Sequence, residues 1–248
     1  MKSSSFPILL LLAVANFAFP QPKASAENTI ILANGQRREA TILGVSGGRL
    51  SFKAGPVQSS LPLDQISSVI MEPPADFEQA INAWLNDDPK TALAKLKPLI
   101  QNFNGLPADW ARQASATLGE ILLDIDDIAA AEKAFQDFQS LYPDATELAQ
   151  LGKAKLALKK NDLPTAKQLV EPLAEEAKKS LTVGPEKNAK FAKALLTLGS
   201  ALEAEGRLSE ALENYLLIVT VFYNDQAVAR QAENRARILS TEKSVVVP

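Results

Sequence analysis

The chain has 248 residues, 46% of them hydrophobic and 22% charged, with a formal net charge of −3; this is the balance of a folded protein rather than a disordered one. It contains no histidine and no cysteine, which excludes a serine–histidine triad, a cysteine–histidine nucleophile pair and any zinc site built on those ligands. The acidic balance gives no general attraction to nucleic acid.

The N-terminus carries Lys2, an apolar run from Phe6 to Phe19 broken only by Pro7 and Asn16, then Pro20 to Lys23 and the small triplet Ala24-Ser25-Ala26. That is the pattern of a signal peptide. Cleavage is expected after Ala26, which assigns residues 1–26 to a leader and the mature chain to the periplasm or the outside of a bacterial-type cell. The apolar run is shorter than the roughly 20 residues of a spanning helix, so no integral membrane span is expected once the leader is removed. Without cysteine, stability must come from packing rather than disulfides, and no thiol is present to carry a lipid anchor.

From Asn28 to Met71 the hydrophobic period is that of strands. Thr29–Leu32 runs into Asn34-Gly35, a hairpin signal because both residues tolerate positive φ. Arg38–Val45, Leu50–Ala54, Gln58–Leu63 and Ile66–Met71 complete a five-stranded module, residues 27–72. Its Asn-Gly hairpin, Ser46-Gly47-Gly48 turn and closing Leu63-Asp-Gln-Ile-Ser-Ser-Val-Ile segment resemble a small SH3-like or Sm-like barrel. A closed, barrel-like sheet is therefore expected.

Glu72-Pro73-Pro74 ends the strands, and over residues 73–240 the period becomes helical. Apolar residues recur three and four apart in Phe77–Leu85, Thr91–Ile100, Trp110–Leu123, Ile128–Leu141, Leu148–Leu158, Pro164–Leu173, Phe191–Leu202 and Ser209–Val221. A ninth helix, Gln226–Leu239, closes the domain, and residues 241–248 read as a flexible tail. One phase runs through these segments. Ala92, Ala131, Ala166 and Ala211 stand early in the second helix of each pair, where a methyl group permits close crossing. Four residues before them come Asp88, Asp127, Asp162 and Arg207, the first three being good N-caps; before those stand Asp87, Asp126, Asn161 and Gly206, all turn residues. Ala80, Gly119, Ala154 and Gly199 occupy the matching position of the first helices, and Gly119 and Gly199 are expected to leave room for Phe135 and Tyr215.

This pattern resembles the tetratricopeptide repeat, most closely in Leu118-Gly119, Leu122, Ala131, Phe135, Phe138, Pro143 and in Leu198-Gly199, Leu202, Gly206, Ala211, Tyr215, Ile218. The resemblance implies an α-α superhelix with repeats near 73–106, 112–145, 147–180 and 192–225 and a capping helix at 226–239, giving a mainly α protein preceded by the small β module. It also implies a concave binding face lined by the first helix of each pair. Carried onto this chain, the inward positions are Gln113, Glu120 and Asp124, then Lys155 and Lys159, then Lys193, Ser200 and Glu203. Such a face suits an extended protein or peptide of mixed charge, for which an envelope protein is the expected partner. Phe77 and Trp84, nearest the β module, are assigned to packing between the domains, and Arg230, Arg235 and Arg237 to a wet outer face of the last helix.

Asp124, Asp126 and Asp127 cluster at a helix end, but their spacing is not that of a calcium loop; neither a metal nor a cofactor is expected. Three functions follow in descending order: a non-catalytic extracytoplasmic adaptor binding its partner on the concave face, a structural envelope protein that assembles with itself, and an enzyme using carboxylates on glycan.

Overall fold

Asn34 and Gly35, the latter at φ +82°, turn the chain from β1 (Asn28–Leu32) into β2 (Arg37–Ser46). β3 (Arg49–Ala54), β4 (Val57–Pro62) and β5 (Ile66–Ile70) follow, with a 3-10 turn at Leu63–Gln65 between the last two. The protein is seen in a computed structural model that describes residues 28–247; the leader assigned to residues 1–26 lies outside them. All pairings are antiparallel, in the order β4-β3-β2-β1-β5. Alternation puts Ile30, Ala40, Ile42, Leu50, Phe52, Ile66 and Val69 on one buried face.

The expectation of a closed barrel is overturned, because β4 and β5 form the two opposite edges of this sheet and do not pair. The site a closing strand would fill is taken by the helical part of the chain. The Val69 N–H donates to the Pro107 carbonyl at 2.7 Å, so a loop between helices seals the outer edge of β5. β2 is bent by a register shift between Ile42 and Gly44. A Cβ at Gly44 would lie 3.0 Å from the Asn102 carbonyl oxygen, and this close approach fastens the sheet to the end of the second helix.

The helices pair as hairpins: α1 (Ala75–Leu85) with α2 (Pro89–Phe103), α3 (Asp109–Asp124) with α4 (Ile128–Leu141), α5 (Thr146–Lys159) with α6 (Leu163–Lys179), and α7 (Pro185–Ala204) with α8 (Leu208–Thr220). α9 (Gln226–Arg237) then runs into a π-helical turn at Ile238–Glu242. Asp88, Asp127 and Asp162 each accept from a backbone N–H of the first turn, at 3.1, 3.1 and 3.2 Å. The residues before them, Asp87, Asp126 and Asn161, take positive φ, as Gly206 does in the last hairpin; short polar side chains and glycine are what that conformation admits. The extra length in the third and fourth repeats is helix rather than loop, since α6 continues through Pro172 to Lys179 and α7 starts at Pro185.

Ala92, Ala131, Ala166 and Ala211 are fully buried where the hairpins cross. At the second crossing the ring of Phe135 lies so close that a Cβ on Gly119 would meet its Cε1 at 2.3 Å, and one on Gly152 its Cδ1 at 2.6 Å. One aromatic ring thus fits between two glycines on successive first helices, and Tyr215 stands in the same relation to Gly199. Phe77 is buried in a core shared by the sheet and α1 to α3, its ring 6.0 Å from Trp110. A second core joins α5 to α9. The superhelix curls tightly enough that the Arg230 Nη2 on α9 donates to the Leu85 carbonyl at the end of α1, at 2.7 Å.

Adding a methyl group at position 119 tests this packing. Alanine would gain up to about 1 kcal/mol in helix propensity, but overpacking typically costs roughly 1–3 kcal/mol, and Phe135 has no room to withdraw. Gly119→Ala should lower the urea midpoint at unchanged m-value, and Phe135→Leu in that background should recover part of the loss. A midpoint equal to the parent's would contradict the close crossing.

Candidate functional site

The first helices α1, α3, α5 and α7, together with α9, line the concave side of the superhelix. Two cavities occupy it. One, of about 410 Å³, is bounded by Trp84, Glu120, Leu151, Lys155, Lys193 and Arg235 among others. The other, of about 440 Å³, is bounded by Arg112, Gln113, Leu148, Lys190, Lys193 and Asp225 among others. Lys193 lines both, so the two are chambers of one groove divided at that side chain.

Glu120 is the centre of the groove. Its carboxylate accepts from Lys193 Nζ at 2.7 Å and from Lys155 Nζ at 3.3 Å, which ties α3 to α5 and α7. Lys155 also lies 3.9 Å from Asp124 Oδ1 and 5.7 Å from the centre of the Trp84 ring, while the Trp84 indole N–H donates to Asp124 Oδ2 at 2.7 Å. Burial works against the charged carboxylate of Glu120, but the two ammonium groups outweigh it and hold its pKa down to about 2. Lys193 is affected the other way: burial lowers its pKa, Glu120 and Asp225 raise it, and the net shift is upward.

Farther along α7, Glu203 accepts from Arg235 of α9 and from the Tyr215 hydroxyl at 3.1 Å. Burial, with the Glu203 carboxylate adding to it, pushes the Tyr215 phenol up to about 12. Lys190 bridges Glu147 and Glu186 at 2.9 and 2.8 Å, and Arg112 pairs with Asp144 at 3.0 Å. Glu120, Lys155, Lys193, Glu203, Lys190 and Arg112 therefore each face an opposite charge of the same chain. Among the described residues there is no group of three or more Asp, Glu, His or Cys side chains that could hold a metal, and no helix is long and apolar enough to cross a membrane.

Of the residues assigned to the concave face from sequence, Glu120, Asp124, Lys155 and Lys193 meet in one network. Ser200 borders the first chamber, and its hydroxyl donates to the Leu196 carbonyl at 2.9 Å; Gln113 borders the second. Lys159 lines neither chamber and pairs with Asp126 at 2.6 Å. Trp84, assigned to domain packing, rests on the margin of the sheet core and turns its polar edge into the groove. The arginines of α9 are not simply a wet outer face: Arg235 enters the groove and the exposed Arg230 caps α1, while Arg237, also exposed, pairs at 3.7 Å with Glu242. The concave role of α9 was missed because its stripe of Gln231, Asn234 and Arg235 is polar. Its sequence signal is periodic, since a step of about 34 residues from Ser200 reaches Asn234.

The fold and groove define a tetratricopeptide-like α-solenoid carrying an open β-sheet. Solved structures similar to the chain include one described as "MamA 41-end from Desulfovibrio magneticus RS-1", with a TM-score of 0.38 and 16% identity over 69% of this chain and 97% of that one. Another is described as a "MamA RS-1 ArsTM double mutant", with a TM-score of 0.38 and 17% identity over the same shares. No protein-family model and no curated protein matches the chain.

Removing the central carboxylate should be costly at neutral pH. Glu120→Gln takes away the carboxylate that Lys155 and Lys193 share and leaves only the more distant Asp124 and Asp225 to offset them, a loss of about 3 kcal/mol for a largely buried pair. The native pKa of Glu120 lies below that of the unfolded chain, so its contribution is complete above the unfolded value near 4.3 and disappears as pH falls toward about 2. Urea midpoints of parent and variant should differ clearly at pH 7 and converge on acidification below pH 4.3 or so; a constant gap would contradict the pairing.

Proposed function

We propose that the protein is an exported, non-catalytic envelope scaffold that acts through its outer surfaces and assembles with copies of itself. The observation that carries this reading is the self-sufficiency of the groove. Glu120 is neutralised by Lys155 and Lys193, Glu203 is held by Arg235, and α9 crosses to the end of α1. A partner entering there would have to break buried ion pairs, each of which is expensive to leave half-satisfied. Outer surfaces need no such rearrangement. The sheet, whose β4 edge has no strand partner among the described residues, is one of them. The non-catalytic reading draws support from the same pairing: a general acid or nucleophile needs a carboxylate left available for substrate, and the buried carboxylates of the groove are committed to cations.

Export is supported by the N-terminal pattern of Lys2, the apolar run and Ala24-Ser25-Ala26. One second reading has an observation in its favour. The two chambers flanking Lys193, with the Trp84 ring at one end, would suit a peptide segment bound by an adaptor that opens at α9.

Sedimentation velocity over a wide concentration range tests the first reading: dimers or larger species should grow with concentration, and a strictly monomeric protein would contradict it. Cell fractionation with N-terminal sequencing should find a chain beginning at Glu27 outside the cytoplasm, and a full-length cytoplasmic chain would contradict export.

A further inference from the structure

The two edges of the sheet are treated differently by the fold. The outer edge of β5 is sealed by the Val69–Pro107 hydrogen bond. Among the described residues, the outer edge of β4 has no strand partner. Folded proteins usually protect such an edge with a charged residue, an interior proline, a bulge or a covering segment. β4 reads Val57-Gln-Ser-Ser-Leu-Pro62, with no charged side chain and with proline only as its last residue. Its register with β3 is regular from Ala54↔Val57 to Arg49↔Pro62.

The unpaired groups can be named. Leu63 N–H donates to the Gly48 carbonyl, and alternation from that bond turns the backbone of Val57, Ser59 and Leu61 toward β3 and that of Gln58, Ser60 and Pro62 outward. The side-chain faces follow from the same register. Val57, Ser59 and Leu61 share the face of the buried Leu50 and Phe52, yet Val57 is 62% exposed and Ser59 is exposed too. The helical layer therefore stops short of β4. It leaves a shelf beside an apolar side chain.

We infer that the β4 edge is a self-association surface whose occupant is β4 of a second copy, paired antiparallel about a two-fold axis through Ser59. This rests on the scaffold reading and specifies its interface. The segment is complementary to itself in that register. Gln58 and Ser60 of one copy exchange N–H···O bonds with Ser60 and Gln58 of the other, using the outward groups. Val57 covers Leu61 of the second copy on the inner face, and Gln58 meets Ser60 on the outer face. Centring the axis on Ser60 instead would set Gln58 against Pro62, which has no N–H, and would leave Val57 uncovered. Arg49 reaches over from β3 to the Ser60 hydroxyl at 3.1 Å and carbonyl at 3.3 Å. A carbonyl has a second lone pair, so the outward bond remains open to it.

The absence of native cysteine makes the register directly readable. In the inferred dimer the two Ser59 residues are a directly opposed, non-hydrogen-bonded pair, within the Cα separation a disulfide tolerates. Ser59→Cys should form a disulfide-linked dimer on mild oxidation, while Gln58→Cys and Ser60→Cys, displaced along the strands, should not. Gln58→Pro removes an outward donor from each copy without touching the β3 ladder and should raise the dissociation constant of the dimer at least about tenfold. Circular dichroism would establish that this variant is folded, and Val57→Lys, at an exposed position, should weaken the dimer as well. Equal crosslinking at all three positions, or preferential crosslinking at Ser60→Cys, would overturn the inferred register. Self-association that survives Gln58→Pro and Val57→Lys unchanged would overturn the edge assignment while leaving the scaffold reading in place. A protein that remains monomeric throughout would overturn both.

Discussion

Glu120 stands where first helices of successive hairpins converge, and its carboxylate can remain charged there only because Lys155 and Lys193 both reach it. An isolated carboxylate so placed would be strongly disfavoured, and removing either lysine leaves the others mismatched. The trio fixes the relative placement of α3, α5 and α7 on their concave side. Phe135, lodged against Gly119 and Gly152, and Tyr215, lodged against Gly199, do the corresponding work where the hairpins cross. Small residues at the crossings let the helices approach; opposite charges in the groove hold them once they have. The outcome is a superhelix curled far enough for α9 to touch α1.

Sequence carries the local half of this architecture well. An aspartate after a turn residue and four before a buried alanine is a cap with a mechanism, and Asp88, Asp127 and Asp162 act as such. The glycine positions are legible for the same reason, since mid-helix glycine is unfavourable unless space demands it. What periodicity does not carry is the way remote segments meet. Five strands in a row suggested closure on themselves, yet the inner face of the sheet is completed by α1 to α3 and one edge by Pro107. Nothing local to the strands announces that the Val69 N–H will find its acceptor in a proline carbonyl of a helical loop. Trp84 likewise reads as apolar bulk beside the β module, and only the curl of the superhelix brings Asp124 to its indole N–H.

The candidate site shows the same division. Inward positions of the repeat pattern include Glu120, Asp124, Lys155 and Lys193, which meet in the groove, but not Arg112, Lys190 or Arg235, and they do not show that these charges neutralise one another. Lys155 and Glu120 are 35 residues apart and Lys193 and Glu120 are 73 apart, so their pairing depends on superhelical curvature rather than on spacing within any helix. Once the pairs are formed, the groove holds two chambers, and under the proposed scaffold reading recognition falls to surfaces that the fold has not satisfied. The β module presents one of these rigidly, because Ile30, Leu50 and Phe52 share a single core with Phe77, Leu96 and Trp110.

The central claim is that the groove charges are committed to each other in the isolated protein. The most direct measurement is an NMR titration of the Glu120 side-chain carboxyl carbon in the protein without added partner. Commitment predicts an ionised carboxylate down to a pKa of about 2. Titration near the ordinary value of roughly 4.3 would mean that Lys155 and Lys193 are not engaged with it, and that the concave face is a vacant docking surface.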